Sequence, residues 1–457
     1  MKTVIMNGTL VLPEGPVPGD LVLENGKIAK IVKRKSGGPE KPESYPEAEI
    51  EDATDMLVFP GFIDGHTHLD LPVSGTVTAD DFSSGTRAAV CGGTTCVVDF
   101  ATQDFGQTMV EAYEIWRRKA DHRSSANYAF HMALSEWNDK IKAEFPLIRE
   151  KGICSFKVYL AYAMRFQDDE LYEALKAADR VGGIVGVHCE NGLLVQKLQK
   201  EELAMGHTGT EAHPLSRPAE LEAEAIDRLT WAAYLAGTPC HVVHLSSRAG
   251  LASVRRARAR GQKVYAETCP QYLYLDESNY KRPDFEGAKY VMSPPLRKLE
   301  DLEAIHAAVV NGEIDTIATD HCSFNFATQK QAGREDFTKI PNGAPGIEHR
   351  PALIMTCFEK ELAPYRLMQL LSENPAKLFA MYPKKGTLQE GSDADVTVWN
   401  PKKHWIISAA NQHQNVDYTP YEGFEVHGQA HLVYVNGYLA AKDGEPTGEV
   451  RGEYVAR

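Results

Sequence analysis

Ile184-Val185-Gly186-Val187-His188-Cys189-Glu190 is an apolar run that ends in polar residues. Five other segments share that habit: Cys96-Val97-Val98-Asp99, Phe156-Lys157-Val158-Tyr159, His241-Val242-Val243-His244, Val264-Tyr265-Ala266-Glu267 and Ile314-Asp315-Thr316-Ile317-Ala318-Thr319-Asp320. Between them lie helix-like stretches at Met109 to Ala120, Asp169 to Arg180, Glu220 to Ala236 and Ser247 to Arg260. Strand and helix alternating over this length predict a parallel α/β fold, with a (β/α)8 TIM-like barrel as first choice. In such a barrel the C-terminal strand ends converge on one face, so polar residues far apart in sequence meet there.

The two ends of the chain read differently. Short strands at Thr3 to Met6, Leu21 to Leu23 and Ile28 to Val32 are separated by Asn-Gly, Pro-Gly and Gly-Gly turn signals, and Asn7-Gly8 reads as the first turn. The C-terminal end repeats this texture in Ala394 to Trp399 and His431 to Gly437. The predicted organisation is therefore a small β-sandwich from residues 1–55 plus 388–457, around a catalytic barrel at 56–387.

The 457 residues, 43% hydrophobic and 25% charged, are those of an ordinary globular protein. A formal charge of −14 argues against a nucleic-acid or anionic-membrane partner, which would require clustered Lys and Arg. The N-terminus lacks the apolar core and cleavage site of a signal peptide, and no stretch has the ~18 apolar residues of a spanning helix. Eight scattered cysteines without a C-x-x-C pair suit reduced thiols in the cytoplasm. Cys189 and Cys322 adjoin a histidine and an aspartate-histidine pair, and are read as packing residues facing away from those histidines.

His66 and His68 follow the apolar run Met56-Leu57-Val58-Phe59 and the turn Pro60-Gly61. In an extended segment residues i and i+2 share a side, so one H-x-H pair can present two imidazoles to one metal ion, and imidazole suits zinc, copper, iron and nickel. His188 and His244 each end a strand of their own, and Asp320 ends another, where a carboxylate needs pairing or a cation to offset desolvation. Four imidazoles and a carboxylate are thus expected at one rim. Lys157 sits among residues that suggest burial, and two fates are open to it. Its stem could snorkel to the rim and leave a free ammonium. Alternatively burial and neighbouring cations lower its pKa, and the neutral amine reacts with carbon dioxide to give an anionic carbamate able to bridge two metals.

Gly61-Phe62-Ile63-Asp64-Gly65-His66-Thr67-His68-Leu69-Asp70, Ser155 to Tyr159, Val187 to Glu190, His244-Leu245-Ser246 and Ala318 to His321 together resemble the binuclear amidohydrolase superfamily. Within it the chain is most similar to the dihydropyrimidinase and D-hydantoinase group, through Gly75 to Phe82 and Ser293-Pro294-Pro295-Leu296-Arg297. The resemblance spans nearly the whole chain and implies roles by position. His66, His68 and Asp320 would hold one divalent ion, His188 and His244 the second, and N6-carboxylated Lys157 would bridge them, with Zn²⁺ the first choice of metal. A hydroxide shared by the two ions would open hydantoins or 5,6-dihydropyrimidines to N-carbamoyl amino acids. Asp320 would shuttle the proton, Tyr162 would stabilise the oxyanion, and Ser293 and Asn342 would hold the ring's imide edge. Relatives in this group are usually homotetramers.

The resemblance also sets the alternatives. A scaffold of the collapsin-response-mediator type would keep the fold and lose the metal, whereas all six ligand positions here carry competent side chains. An allantoinase-type ureide hydrolase stays open. Dihydroorotases typically place an arginine two positions after H-x-H. Asp70 stands there in this chain, and it is read as repelling a ring carboxylate. Leu71, Val73, Tyr159 and Phe166 are the candidates for the pocket that receives the ring substituent.

Overall fold

A computed structural model describes residues 2–34 and 44–457. Eight parallel strands form the central sheet in the order of the chain: β1 (Phe62–Thr67), β2 (Thr94–Thr102), β3 (Asn127–Ala133), β4 (Ser155–Tyr159), β5 (Ile184–His188), β6 (Cys240–Val242), β7 (Val264–Thr268) and β8 (Thr316–Ile317). The sheet closes on itself where Thr67 bridges His321 and the His68 N–H donates to the His321 carbonyl at 2.8 Å. The expected (β/α)8 barrel is present.

The crossover helices form where the spacing of apolar residues predicts them, at Met109–Ala120, Asp168–Arg180, Ala219–Ala236 and Arg248–Ala259. Two of them start on side-chain caps. Thr108 and Glu111 make a reciprocal capping box, and the Ser247 hydroxyl accepts from the Gly250 N–H. Asp99, expected to finish its strand, lies inside β2. Its buried carboxylate accepts from Thr67 Oγ1 and the Leu69 N–H at 2.8 Å each, so it holds the end of β1 in place and does not face the rim.

Both termini contribute to one nine-stranded mixed sheet beside the barrel. Its N-terminal hairpin curls back so that the Ala394 N–H donates to the Gly26 carbonyl and the Ile28 N–H to that of Ser392, both at 2.9 Å. Residues from both ends, including Ile5, Leu21, Ile28, Val396 and Leu432, share a single core. Leu57–Pro60 lies outside the barrel that a boundary at residue 56 would give it. It pairs with Lys2–Leu12 and Val396–Ile406 in the terminal sheet, where Val58 packs in that core while Phe59 faces the barrel core. Asn7-Gly8 is a bulge within Lys2–Leu12, not a turn. A side chain at Gly8 would meet Val58 Cγ2 at 2.6 Å, so the close approach of two strands selects glycine there. The eight cysteines are all free thiols.

The β8–β1 seam has few ladder hydrogen bonds because β8 is two residues long. Buried side chains replace them. Arg350 Nη1 donates to the carbonyls of Ile63 and Ile317 at 2.8 Å each, and Asp64 accepts from Thr319 Oγ1 at 2.7 Å and from its N–H at 3.1 Å. Arg350→Met would leave these carbonyls without their buried donor and the Asp64 carboxylate without the guanidinium charge 3.9 Å away. We expect a loss of about 3–5 kcal/mol, read as a lower urea midpoint; an unchanged midpoint would show that the seam does not depend on Arg350.

Candidate metal centre and ring cavity

The rim of the barrel carries a cavity of about 270 Å³. It is lined by His66, His68, Lys157, His188, His244 and Asp320, and by Tyr162, Ser293 and Asn342. These nine residues, expected to bind metal or ring, therefore meet in one place. His66 and His68 share a side, as the period of an extended chain requires, and Nε2 of each lies 3.1 Å from Asp320 Oδ1. His188 Nδ1 lies 3.0 Å from His244 Nε2. One pair of contacts thus forms at the β1–β8 seam and another between β5 and the end of β6, and His244 also offers a ligand atom within 4.8 Å of those of His66 and Asp320. Lys157 on β4 lines the same cavity, with Nζ 5.0 Å from the Phe100 ring centroid and 5.4 Å from that of Tyr159.

The electrostatics favour ligation. Burial holds His68 down at about 4 and keeps His188 and His244 below the ordinary histidine value, so these rings are neutral and keep a lone pair. His66 goes the other way. Burial and Lys157 oppose its protonation, but Asp320 and Glu267 outweigh them, which marks a spot where positive charge is favoured. Burial alone would raise the Asp320 carboxyl, yet His66 and His68 hold it well below the carboxylate range. Burial lowers the Lys157 amine to about 8, and the residue forms no ion pair among the described residues. Tyr162 is pushed up to about 12 by burial, so its phenol keeps its proton at neutral pH.

Nε2 of His66 is buried and has no hydrogen bond of acceptable geometry, despite the short distance to Asp320. A cation between the two groups would satisfy both. His244, Asp320 and Tyr162 all have left-handed backbones, at φ 40°, 53° and 69°. Non-glycine residues adopt that region at a cost, and such strain gathers at functional sites. Here it aims three side chains from strand ends into the cavity.

Four supporting residues escaped the sequence reading. Glu267 ends an apolar strand to which the sequence assigns no role; it bonds His66 Nδ1 at 2.8 Å and so fixes which nitrogen faces the cavity. Glu190 does the same for His188 through Nε2 at 2.8 Å, and Arg217 and His188 hold its carboxyl down at about 2 against burial. Arg217 pairs with Glu190 and lies 5.6 Å from the Tyr162 ring. Lys330, fully buried, donates to the carbonyls of Val291 and Pro341 at 3.0 Å each, tying together the segments that carry Ser293 and Asn342. Asn342 Nδ2 donates to Ser293 Oγ at 3.0 Å. The signal for Glu190 and Glu267 was available, since both are carboxylates at barrel strand ends. Nothing local in the sequence points to Arg217 or Lys330.

Other expectations need correction. Leu71, Val73 and Tyr159 line the cavity, but Phe166 does not; it belongs to the core, 6.2 Å from the Trp137 ring. Asp70 is absent from the lining. Its left-handed backbone turns the carboxylate toward Lys119, 3.9 Å away, so it cannot repel a ring substituent. Cys189 packs in the core as expected. Cys322 lines the cavity, because it alternates with His321 and so shares the side of Asp320. His321 faces away, with Nε2 3.1 Å from Asp80.

Comparison with known proteins agrees with this geometry. The profile described as the amidohydrolase family matches residues 57–440. A D-hydantoinase of Geobacillus stearothermophilus is 44% identical, with 100% of this chain and 97% of that protein aligned. A D-hydantoinase of Streptomyces coelicolor is 39% identical over 100% and 98% of the two chains. The crystal structure of dihydropyrimidinase from Brevibacillus agri superposes with a TM-score of 0.96 at 39% identity, covering 100% of this chain and 99% of that one. An L-hydantoinase (dihydropyrimidinase) from Arthrobacter aurescens superposes at 0.88 with 29% identity, over 100% and 99%. With its barrel, its rim of histidines and its match over most of its length, this chain belongs to the amidohydrolase family.

Proposed function

We propose that the protein is a metal-dependent cyclic amidase of the hydantoinase and dihydropyrimidinase type, opening a neutral ring to an N-carbamoyl amino acid. The observation that carries this reading is the convergence of two donor sets and a buried lysine on one cavity whose lining contains no arginine. A ring bearing a carboxylate would be left without a partner there, which sets the dihydroorotase reading aside on better grounds than Asp70. The names of the relatives support the same substrate class. Retention of all six candidate ligands speaks against a non-catalytic scaffold.

In this reading His66, His68, Asp320, His188, His244 and Lys157, carboxylated on Nζ, would together hold two divalent ions. The ions supply Lewis acidity that makes water nucleophilic at neutral pH, and zinc fits the N/O donor set. The chain does the rest. Asp320 is ionised, so it accepts the proton of the attacking water and delivers it to the ring nitrogen as the C–N bond breaks. Tyr162 keeps its phenolic proton and donates a hydrogen bond to the carbonyl oxygen as charge develops there. Ser293 and Asn342, held by Lys330 and by each other, orient the ring. Glu267 and Glu190 keep His66 and His188 in the ligating tautomer.

Assembly as a homotetramer is supported by the exposed Trp231, Tyr234 and Leu235 on Ala219–Ala236, an apolar face that a second copy would cover. A cytoplasmic setting fits the eight free thiols. No helix among the described residues is long and apolar enough to cross a membrane.

A side-by-side assay tests the substrate class. With metal-loaded enzyme, kcat/KM for hydantoin and dihydrouracil should exceed that for allantoin and dihydroorotate by about 100-fold or more. Asp320→Asn should lower turnover by about 10²–10⁴-fold. Preference for dihydroorotate, or a near-normal Asp320→Asn, would overturn the assignment.

The Lys157 amine also predicts a pH dependence. Because its pKa is lowered to about 8, the reactive neutral form grows as pH rises through that value. Recovery of activity by metal-stripped enzyme supplied with metal and a fixed concentration of dissolved carbon dioxide should therefore accelerate from pH 7 to about pH 8 and level off above it. A rate independent of pH across this range would remove the lysine from the loading step.

A further inference from the structure

On the terminal sheet, Val396–Ile406 and Glu425–Val435 pair antiparallel, with His404 opposite His427 and Ile406 opposite Glu425. Facing residues share a side of the sheet, and so do residues two apart on one strand. His404, His427 and Glu425 therefore project together. The two imidazole centroids are 4.2 Å apart, and the three side chains each offer a ligand atom within 4.8 Å of the others. His404 and Glu425 are exposed and His427 is half-buried, so the cluster is open to solvent. None of the three lines the ring cavity.

A second observation sets this cluster apart from an ordinary polar patch. His427 Nδ1 lies 3.0 Å from Glu359 Oε2. A proton on Nδ1, donated to that carboxylate, leaves the Nε2 lone pair free for a ligand, the arrangement that orients metal-bound histidines. The His427 N–H donates to Thr356 Oγ1 at 2.8 Å, so this strand is anchored to the barrel helix Arg350–Cys357. Among the described residues, neither Glu425 nor Glu359 forms an ion pair with lysine or arginine. Two imidazoles thus stand beside two carboxylates with no basic side chain paired to either.

We propose that His404, Glu425 and His427 form a surface site for one divalent transition-metal ion of borderline softness, Zn²⁺ or Cu²⁺. Two nitrogens and one carboxylate oxygen select such ions over Ca²⁺ and Mg²⁺, which take oxygen ligands. Three protein donors leave the remaining positions to water. The ion would staple the two strands where residues 407–424 leave the ladder, away from the ring cavity and independent of the chemistry proposed there.

Zinc uptake tests this directly. Metal-stripped full-length protein is dialysed against Zn²⁺ and the bound metal counted by mass spectrometry. Wild type should hold one more ion per chain than the His404→Ala/His427→Ala variant, and that variant should hydrolyse hydantoin at the wild-type rate once loaded. Equal stoichiometry in the two proteins overturns the site. Glu425→Gln should weaken the Kd of the same ion by about tenfold or more, and an unchanged Kd overturns the three-donor assignment. Because the readout is a difference between variants, it stands whatever number of ions the cavity holds.

Discussion

Closure of the barrel between β1 and β8 is the constraint on which the site depends. His66 and His68 belong to one side of that seam and Asp320 to the other, and their donor atoms meet at 3.1 Å only because the seam is shut. The backbone contributes little there, since β8 is so short. Asp64 and Arg350 substitute for the missing ladder, and both are fully buried. A buried charge is costly unless its partners are in place, so the same groups that close the barrel also penalise any register in which the ligands would miss each other.

The second physical theme is desolvation. The cavity removes water from four imidazoles, a lysine and a carboxylate at once. Burial pushes most of the histidines toward their neutral, ligating form and pulls the Lys157 amine down to about 8. Glu267 and Glu190, also fully buried, counter this locally and fix ring orientations from behind. The polar groups of the rim are therefore arranged around positive charge that the side chains alone do not supply. This is the physical content of reading the site as a metal centre.

How much of this could be read from the chain follows from the period of its elements. Barrel strands announce themselves as apolar runs with polar ends, and the helices at Met109–Ala120 and Arg248–Ala259 begin and end within a residue of their spacing. That these side chains meet was legible because a parallel barrel gathers strand ends whatever their sequence separation. The roles proposed for Lys157, Tyr162, Ser293 and Asn342 rest on resemblance, since no local pattern distinguishes them. What failed were statements about side-chain direction outside regular strands. Asp70 is turned away by its left-handed backbone, and Cys322 faces the cavity because its neighbour His321 points to Asp80 instead. Arg217 and Lys330 act through contacts set by tertiary packing, with Glu190 and with two carbonyls, and no sequence spacing encodes such contacts.

The central claim is that Lys157, as a carbamate, joins two ions held by the histidines and Asp320. It is tested most directly by reconstituting metal-stripped protein in ¹³C-bicarbonate and recording its ¹³C spectrum alongside X-ray absorption at the metal edge. The account predicts one carbamate carbon per chain, absent in Lys157→Ala, and a metal–metal distance of about 3.5–4 Å. Full activity with no carbamate signal, or with a single isolated ion, would contradict it.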